Sequence, residues 1–496
     1  MSMSVFVSFA VWHKASIATS GLHRWIVTMT CIGEPLMLST LKYVFHARRE
    51  LLATCLLLCS ANASAEQGFA DKLERVLREH QLVRMVDADV ETAREQVAVE
   101  KTAYFPKLTI SGGAGKQRID RENGESGHYN PSQANVGISQ LITDFGATSS
   151  RVQAAKVVLV KEEAERELQV QNLTLAAIEA QLQVVQAQRT LAYARQSERN
   201  IKQQTSLESA RMEAGRGYAT DVLQAKSQLA GAEARRVMAA SRMREALNRY
   251  RVIFGESAIA PESLEALAIP SARLPASEVD IINSVRQQSP DVLAAIKRAE
   301  VTLAERDAAR SKELMPRLSF RLSQDRFNDY DGAPGRRDDT KAMINFDWQF
   351  DLGMRAYHVT RAADQAVLSA EEKADYTRIQ AIEEARNAWD SWQASRERSD
   401  HLRNQANIAE RFLDLARKER EMGRRSLLDI LNGDIGLINA QSDATAAGID
   451  EIIAAYRLLR ATGRLSPELF RQPGIVVPAE QALPVASLYV GQADAR

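Results

Sequence analysis

The chain has 496 residues, with 64 Lys and Arg against 64 Asp and Glu, so its formal net charge at pH 7 is zero. This balance provides neither a basic excess for nucleic acid nor an acidic excess for a cationic partner, and we expect no nucleic-acid binding. All three cysteines lie within the first 59 residues, so the chain beyond them has no residue for a disulfide or a cysteine metal site.

Residues 1–65 carry the features of a secretory signal peptide. Basic residues precede the apolar run LLATCLLLC (51–59), and the small residues of ANASA lead to a cleavage site before Glu66. The run is too short for a membrane-spanning helix, which needs about 20 residues. We predict a signal peptide that begins at Met37, preceded by an upstream extension from a misplaced start. The alternatives are an unusually long leader and a lipoprotein anchored through a cysteine of this segment.

The distribution of proline predicts the plan of the remaining chain. No proline occurs between Pro131 and Pro261, or between Pro334 and Pro467. Two very long helical regions are therefore predicted, because proline interrupts helices. Matching prolines, glycines and aspartates recur in the two halves at a nearly constant spacing, which indicates an internal tandem duplication.

Each repeat is predicted to contain a helix, two strands, a long helix, a break at glycine and a returning helix. The predicted helices span 67–103, 147–212 and 219–254 in the first repeat, and 277–314, 354–421 and 427–462 in the second. The predicted domains are a first repeat (66–255), an equatorial linker (256–276), a second repeat (277–463) and a C-terminal equatorial or disordered tail (464–496). A helix of about 66 residues would reach roughly 100 Å, so we predict side-by-side packing of the coiled-coil kind.

The strands before each long helix alternate apolar and polar side chains, as in INFDWQFDLG (344–353). This alternation predicts two unlike faces. A transmembrane β-barrel turns the apolar face to lipid and the polar face to a lumen, whereas the alternative is a soluble sandwich with one wet face. Four strands cannot close a barrel, so two chains would give 8 strands and three would give 12. The predicted lipid-facing residues are Leu108, Ile110, Leu318, Phe320, Leu322, Ile344, Phe346, Trp348 and Phe350.

The strand-to-helix junctions LITDFG and QFDLG, and the turns EAGRGYATDVLQAKSQL and EMGRRSLLDILNGDIGLINAQ, resemble the TolC family of outer-membrane efflux and secretion ducts. In each turn a glycine is followed six residues later by Asp-Val-Leu or Asp-Ile-Leu. The resemblance implies a mixed α and β membrane protein: a homotrimer with a 12-stranded barrel in outer-membrane lipid and a long coiled-coil α-helical barrel as a periplasmic tunnel. It also implies a periplasmic adaptor and an inner-membrane transporter as partners.

The same resemblance implies a latch at the tunnel tip. Thr220 and Asp221 match the latch of the first repeat, Arg425 matches the arginine of the second, and Asp429 matches the first of two ring aspartates. This chain departs from the family pattern at Arg420, where a latch tyrosine is expected.

Asn432 is a second departure, because a second ring aspartate is expected there. We predict an Arg420–Asp221 ion pair and a weaker cation filter. The alternative is that these are ordinary polar residues of a helical turn, with glycines that only end the helices. The predicted tip turns and adaptor contacts are Gly215, Gly217, Gly423, Leu223 and Leu431.

No catalytic constellation is found, since the nucleophile elbow, phosphate loop, dinucleotide fingerprint and zinc-ligand histidine spacing are missing from the sequence. We predict a passive, non-enzymatic duct without cofactor or metal. The alternative is a periplasmic coiled-coil scaffold without a pore. The segment GRGYATDVLQAKSQLAGAEARR looks most like the branch that serves type I secretion, including exporters of large adhesins, so an ABC-type transporter and a protein cargo are favoured over multidrug efflux.

Overall fold

The computed structural model describes residues 68–120, 127–255, 264 and 266–477. The predicted signal peptide and its extension, the first part of the linker and the end of the tail lie outside the described residues. The helices are α1 (Phe69–Glu79), α2 (Gln81–Lys101), α3 (Ala147–Glu213), α4 (Ala219–Phe254), α5 (Glu278–Gln288), α6 (Pro290–Leu314), α7 (Arg355–Glu421) and α8 (Leu427–Ala461). The strands are β1 (Lys107–Ala114), β2 (Gln117–Ile119), β3 (Gly127–Tyr129), β4 (Ser132–Thr143), β5 (Ala266–Leu267), β6 (Arg317–Asn328), β7 (Arg336–Asp347) and β8 (Val476–Val477).

The long and returning helices are confirmed with ends within one residue of the predicted ones, because proline-free periodic sequence and end glycines mark them clearly. The two shorter predicted helices are each split in two, so those predictions were wrong. His80 adopts an extended conformation between α1 and α2, and its Nδ1 accepts from the Leu82 N–H at 3.2 Å as an N-cap. Ser289 is extended before Pro290, as the residue before a proline tends to be.

The long helices form two antiparallel pairs, α3 with α4 and α7 with α8. None of the helices in the described part of the chain has the length and hydropathy of a membrane-spanning helix. The largest hydrophobic cluster includes Phe69 of α1, Leu182 of α3 and Tyr456 of α8. Phe470 packs edge-on against Phe69, with ring centroids 5.0 Å apart. The main core therefore lies around the middle of α3, far from the helix tips.

The end of α8 is held tightly to its surroundings. Arg460 donates to Asn172 of α3 at 2.9 Å, to Asp291 of α6 at 3.0 Å and to Glu384 of α7 at 3.3 Å. Gly463 follows with φ +71°, and a Cβ there would stand 2.0 Å from the carbonyl oxygen of Gln288. Only glycine permits both this left-handed turn and this approach.

Four strands form one antiparallel sheet in the order β1-β4-β6-β7. Its register aligns Leu108 with Ile138 and Leu322, while Ile344 stands opposite Phe320. Directly paired residues share a face of a sheet, so these side chains lie together on one face, which we call the apolar face. At its end far from the long helices this face also carries Arg326 and Asp338. We call the opposite side, where Lys107, Ser139 and Arg321 align, the polar face. Of the predicted lipid-facing residues, those inside the strands all lie on the apolar face.

Trp348 and Phe350, two of the predicted lipid-facing strand residues, lie beyond the fourth strand, because β7 stops at Asp347. Its partner β6 begins at Arg317, opposite Asp347, because Pro316 before it has no N–H to donate. Both aromatic side chains are still exposed and touch each other, with ring centroids 4.4 Å apart. They therefore form an aromatic patch just beyond the strand.

Candidate functional site at the helix tips

The two turns that connect the helix pairs have the same backbone geometry. Gly215 ends α3 with φ +71°, and its N–H donates to the Met212 carbonyl at 2.9 Å. Gly423 ends α7 with φ +75°, and its N–H donates to the Arg420 carbonyl at 2.8 Å. In both turns the next N–H reaches back to the carbonyl five residues before it, which completes a Schellman motif. Gly215 and Gly423 therefore end their helices, which is the structural role that the alternative interpretation of the sequence gave them.

Gly217 is constrained by its surroundings instead, because a Cβ there would lie 3.0 Å from the backbone nitrogen of Met212. Tyr218, which precedes α4, and Leu223, which lies near the beginning of α4, have side chains that are 76% and 66% exposed. Leu431, predicted as a partner contact, is instead 1% exposed and packs against Ile201 of α3. Its side chain is therefore part of the core between the helices and is not available to a partner.

Arg420 does not pair with Asp221, so that prediction was wrong. The Arg420 guanidinium lies 2.5 Å from the carboxylate of Glu208 on α3, and Arg211 approaches the same oxygen at 2.9 Å. The Glu208 side chain is 4% exposed and that of Arg420 is 18% exposed. This buried ion pair joins α3 to α7, and so links the two helix pairs near their tips. Asp221 is half-buried and has no ion-pair partner among the described residues.

Sequence reasoning missed Glu208 because acidic residues on a long helix usually face water. A signal was nevertheless available, since Ile201, Thr205 and Glu208 follow the four-then-three spacing of one helix face, and all three are buried. A charged residue in such a stripe indicates a buried partner.

A second buried carboxylate, also missed, lies deeper between the helices. Asp434 of α8 accepts from the Ser197 hydroxyl and the Asn200 amide of α3, both at 2.9 Å. Arg417 of α7 approaches the Asp434 carboxylate at 3.4 Å. These three contacts connect three helices through one carboxylate that is 7% exposed. Together, Glu208 and Asp434 form a two-level polar clamp, with Glu208 at the level nearer the tip.

Arg425 is engaged within its own helix pair. Its Nε donates to Glu419 at 2.7 Å, and its guanidinium lies 5.2 Å from the centre of the Phe412 ring. The neighbouring Glu419 carboxylate raises the pKa of Arg425 above its usual value, so the group stays charged. Among the described residues Arg425 has no hydrogen bond or ion pair with Thr220 or Asp221, and Thr220 is exposed.

Asp429 and Asn432 lie together on the exposed side of α8. The Asp429 N–H donates to the Ser426 side chain at 3.2 Å, which caps the helix. Both residues line a groove of about 360 Å³ between α7 and α8, and Gly433 and Gly436 also line it. The structure thus brings the predicted ring aspartate and its neutral neighbour onto one surface.

An antiparallel sheet with an exposed apolar face, continued by two helix pairs that each contain one helix about 100 Å long and end in a tight turn, defines a channel protein of the outer membrane with a helical periplasmic part. The chain belongs to the outer membrane efflux protein family, whose family model matches residues 73–256 and 281–464. It is a transport duct and not an enzyme, and it resides in the outer membrane.

Curated relatives span most of the chain. The outer membrane efflux protein BepC of Brucella suis is 24% identical over 86% of this chain and 92% of its own length. The outer membrane protein TolC of Vibrio cholerae is 23% identical, with 77% and 87% covered. The alkaline protease secretion protein AprF of Pseudomonas aeruginosa is 22% identical, with 82% and 86% covered.

Solved structures show the same fold. A membrane protein from Pseudomonas aeruginosa superposes with a TM-score of 0.68 at 22% identity, over 81% of this chain and 91% of that one. The Campylobacter jejuni outer membrane channel CmeC also gives 0.68, at 16% identity, over 79% and 86%. The resemblance to the TolC family that the turn motifs indicate is therefore confirmed.

Proposed function

We propose that three copies of this chain form a passive exit duct of a tripartite exporter. The observation that carries the proposal is the four-stranded sheet, whose apolar face is exposed and whose outer strands β1 and β7 each have one unpaired edge within the described sheet. Unpaired backbone groups are costly in lipid, so the edges require strands from other copies. Three copies give a 12-stranded barrel, continued by a tunnel of 12 long helices.

The internal tandem duplication is part of this proposal. Its support is that the family model matches the chain twice, and that both halves place a strand pair, a long helix, a Schellman turn and a returning helix in the same order. Two similar units per chain would give the trimer a tunnel with quasi-sixfold repetition. The equatorial position of the linker and of the chain after Gly463 is supported by the pairing of β5 with β8 beside the main core.

We assign the helix tips to the adaptor and to the gate. The turns at Gly215, Gly217 and Gly423 and the exposed Tyr218 and Leu223 offer a surface for a periplasmic adaptor. The latch within one chain is the Glu208–Arg420 pair, and Thr220, Asp221 and Arg425 remain at the tip for contacts between chains. Asp429, without a second acid at Asn432, provides one charge per chain for a weak cation filter.

We favour type I protein secretion, including that of large adhesins, driven by an ABC-type transporter in the inner membrane. The turn motif supports this choice, as does the similarity to AprF, named for alkaline protease secretion. The similarity to BepC, named for efflux, supports multidrug efflux as the alternative. The chain itself has no means to supply energy, so the cargo is set by its partners.

The test is a clean deletion in the source bacterium, scored for secreted proteins and for susceptibility to hydrophobic drugs and detergents. Loss of one large secreted protein with unchanged susceptibility supports the secretion duct. Broad hypersensitivity with an intact set of secreted proteins would establish the alternative. If the deletion changes neither the secreted proteins nor the drug susceptibility, and the purified protein has a monomeric mass, the trimeric duct is contradicted.

A further inference from the structure

The polar face of the sheet carries an uneven distribution of charge along its length. In the sheet register, Lys107 of β1, Ser139 of β4, Arg321 of β6 and Met343 of β7 form one row across all four strands. Two cations thus stand in a single row on either side of a serine. We call this row the cationic row.

No acid in the described part of the chain pairs with either of these two charges. Within the described residues, neither Lys107 nor Arg321 has an ion pair or hydrogen bond, and both side chains are exposed. The neighbouring row on the helix side contains Ser319 opposite Asn345, both neutral. The neighbouring row on the other side contains Ser323 opposite Lys341, which adds a third cation.

The other charges of the polar face compensate one another. Lys341 lies 3.5 Å from Asp325 and 3.8 Å from Asp339, and Arg337 lies 3.0 Å from Asp339. Arg317 faces Asp347 directly across the β6–β7 pair. The uncompensated charge is therefore confined to the cationic row, at the end of the sheet nearer the long helices.

We propose that the cationic row forms a positive ring in the barrel lumen that favours anionic cargo, such as acidic polypeptide segments, over cations. The inference rests on the proposed barrel, which turns the polar face inward and brings six such cations from three chains into one ring. A constriction lined by one sign of charge raises the local concentration of the opposite sign. The ring would act in series with the acidic tip, so the duct would have two filters of opposite sign.

A cysteine at Ser139 reports the potential of the row, because this residue lies between Lys107 and Arg321 in the register. The experiment uses the full-length Ser139→Cys protein in lipid vesicles, with a sulfonate and a trimethylammonium methanethiosulfonate of similar size as probes. The chain without an introduced cysteine gives the background, and a small neutral thiol gives the intrinsic reactivity of each probe. At low salt, and relative to the neutral thiol, we expect the anionic probe to modify Ser139→Cys about tenfold faster than the cationic probe does. This preference should shrink as ionic strength rises.

Charge removal then identifies the cause. Lys107→Gln with Arg321→Gln in the Ser139→Cys chain should bring the ratio of the two rates close to that of the neutral reference. Arg337→Gln is the matched control, because it also removes a cation from the polar face, but about 20 Å away along β7 at about 3.4 Å per residue. An equal ratio in the starting protein, or no change in the double variant, would overturn the proposal.

The same experiment separates a failure of the inference from a failure of the barrel. The Ile138→Cys variant places its thiol one residue away on the apolar face, and lipid should protect that thiol from both charged probes. Faster modification of the Ile138→Cys variant than of the Ser139→Cys variant, or modification of neither, would contradict the proposed barrel itself. Modification of the Ser139→Cys variant alone, but without preference for the anion, would overturn only the positive ring.

Discussion

The Glu208 carboxylate and the Arg420 guanidinium meet at 2.5 Å near the ends of α3 and α7, and so connect the two helix pairs of one chain. Their side chains are 4% and 18% exposed. Salt weakens a pair this far from water only a little. Removal of one member destabilises the protein, because the other charge then stays buried without a partner.

Glu208→Gln should therefore loosen the tip. The substitution leaves Arg420 and Arg211 without their carboxylate. The free energy of unfolding should fall by about 2 kcal/mol, which is the low end for buried pairs, because Arg420 keeps some solvent contact. We expect a larger single-channel conductance and a lower unfolding midpoint. Glu233→Gln, which removes an exposed acid of α4 that has no ion pair in the described chain, is the control. Equal conductance for Glu208→Gln and the parent protein would show that this pair does not restrict the tip.

Asp434→Asn should weaken the level of the polar clamp that lies farther from the tip. The Asp434 carboxylate accepts from Ser197, Asn200 and Arg417, and an amide would direct its own N–H groups at some of these donors. Hydrogen bonds to charged groups contribute about 1.5 to 3 kcal/mol each, so a loss of about 2 kcal/mol is expected. Thermal unfolding of the purified protein measures it. Asp443→Asn, on the exposed side of the same helix, should leave the midpoint unchanged.

Gly463→Ala should prevent correct assembly. Its Cβ would lie 2.0 Å from the Gln288 carbonyl oxygen, and the backbone is left-handed. Gly215→Ala is a matched control, because Gly215 has the same φ of +71° but open space around it. The control should lose only about 1 kcal/mol from backbone strain. Similar amounts of folded protein for both variants, measured in outer-membrane fractions, would refute the argument from steric contact.

Glu451→Gln should stabilise the protein at neutral pH and not in acid. Burial raises the pKa of Glu451 above its usual value, while a hydrogen bond from Ser399 opposes this shift only in part. The folded chain then binds more protons than the unfolded chain between the two pKa values, so stability falls as pH rises through that interval. Glutamine mimics the protonated form, so its advantage should be present at pH 7 and absent below about pH 4.

The measurement for Glu451 is the difference in unfolding midpoint between variant and parent at both pH values. Glu371→Gln, at an exposed position of α7, is the control and should give the same small difference at each pH. An advantage of Glu451→Gln that persists at low pH would contradict the linkage argument.

Ile344→Arg should block membrane insertion, whereas Asn345→Arg should not. Ile344 lies on the apolar face and Asn345 on the polar face of the same strand. An arginine facing lipid costs about 2 to 4 kcal/mol at mid-depth of a membrane, whereas a lumen-facing arginine remains hydrated. Outer-membrane fractionation and heat resistance of the oligomer compare the two variants. Equal assembly of both would argue against lipid on the apolar face.

Much of the architecture was predictable because the signals are local. Missing prolines, end glycines and helical periodicity located α3, α4, α7 and α8 with ends within one residue. Strict alternation placed Leu108 and Ile344 on one face of the sheet. The splits at His80 and Ser289 were missed because a single extended residue leaves little trace in helical periodicity, even though Pro290 marked one of them.

The sequence by itself determined the order of the elements, the face of each strand residue and the family, since these depend on neighbours a few positions apart. Only the tertiary structure decided that Arg420 meets Glu208, that Asp434 binds three partners, that Leu431 is buried, and that Lys107 and Arg321 share a row. Glu208 and Arg420 are 212 positions apart in the chain. Which carboxylate a guanidinium meets over such a separation depends on the rotation and axial shift of packed helices, and no local pattern encodes these.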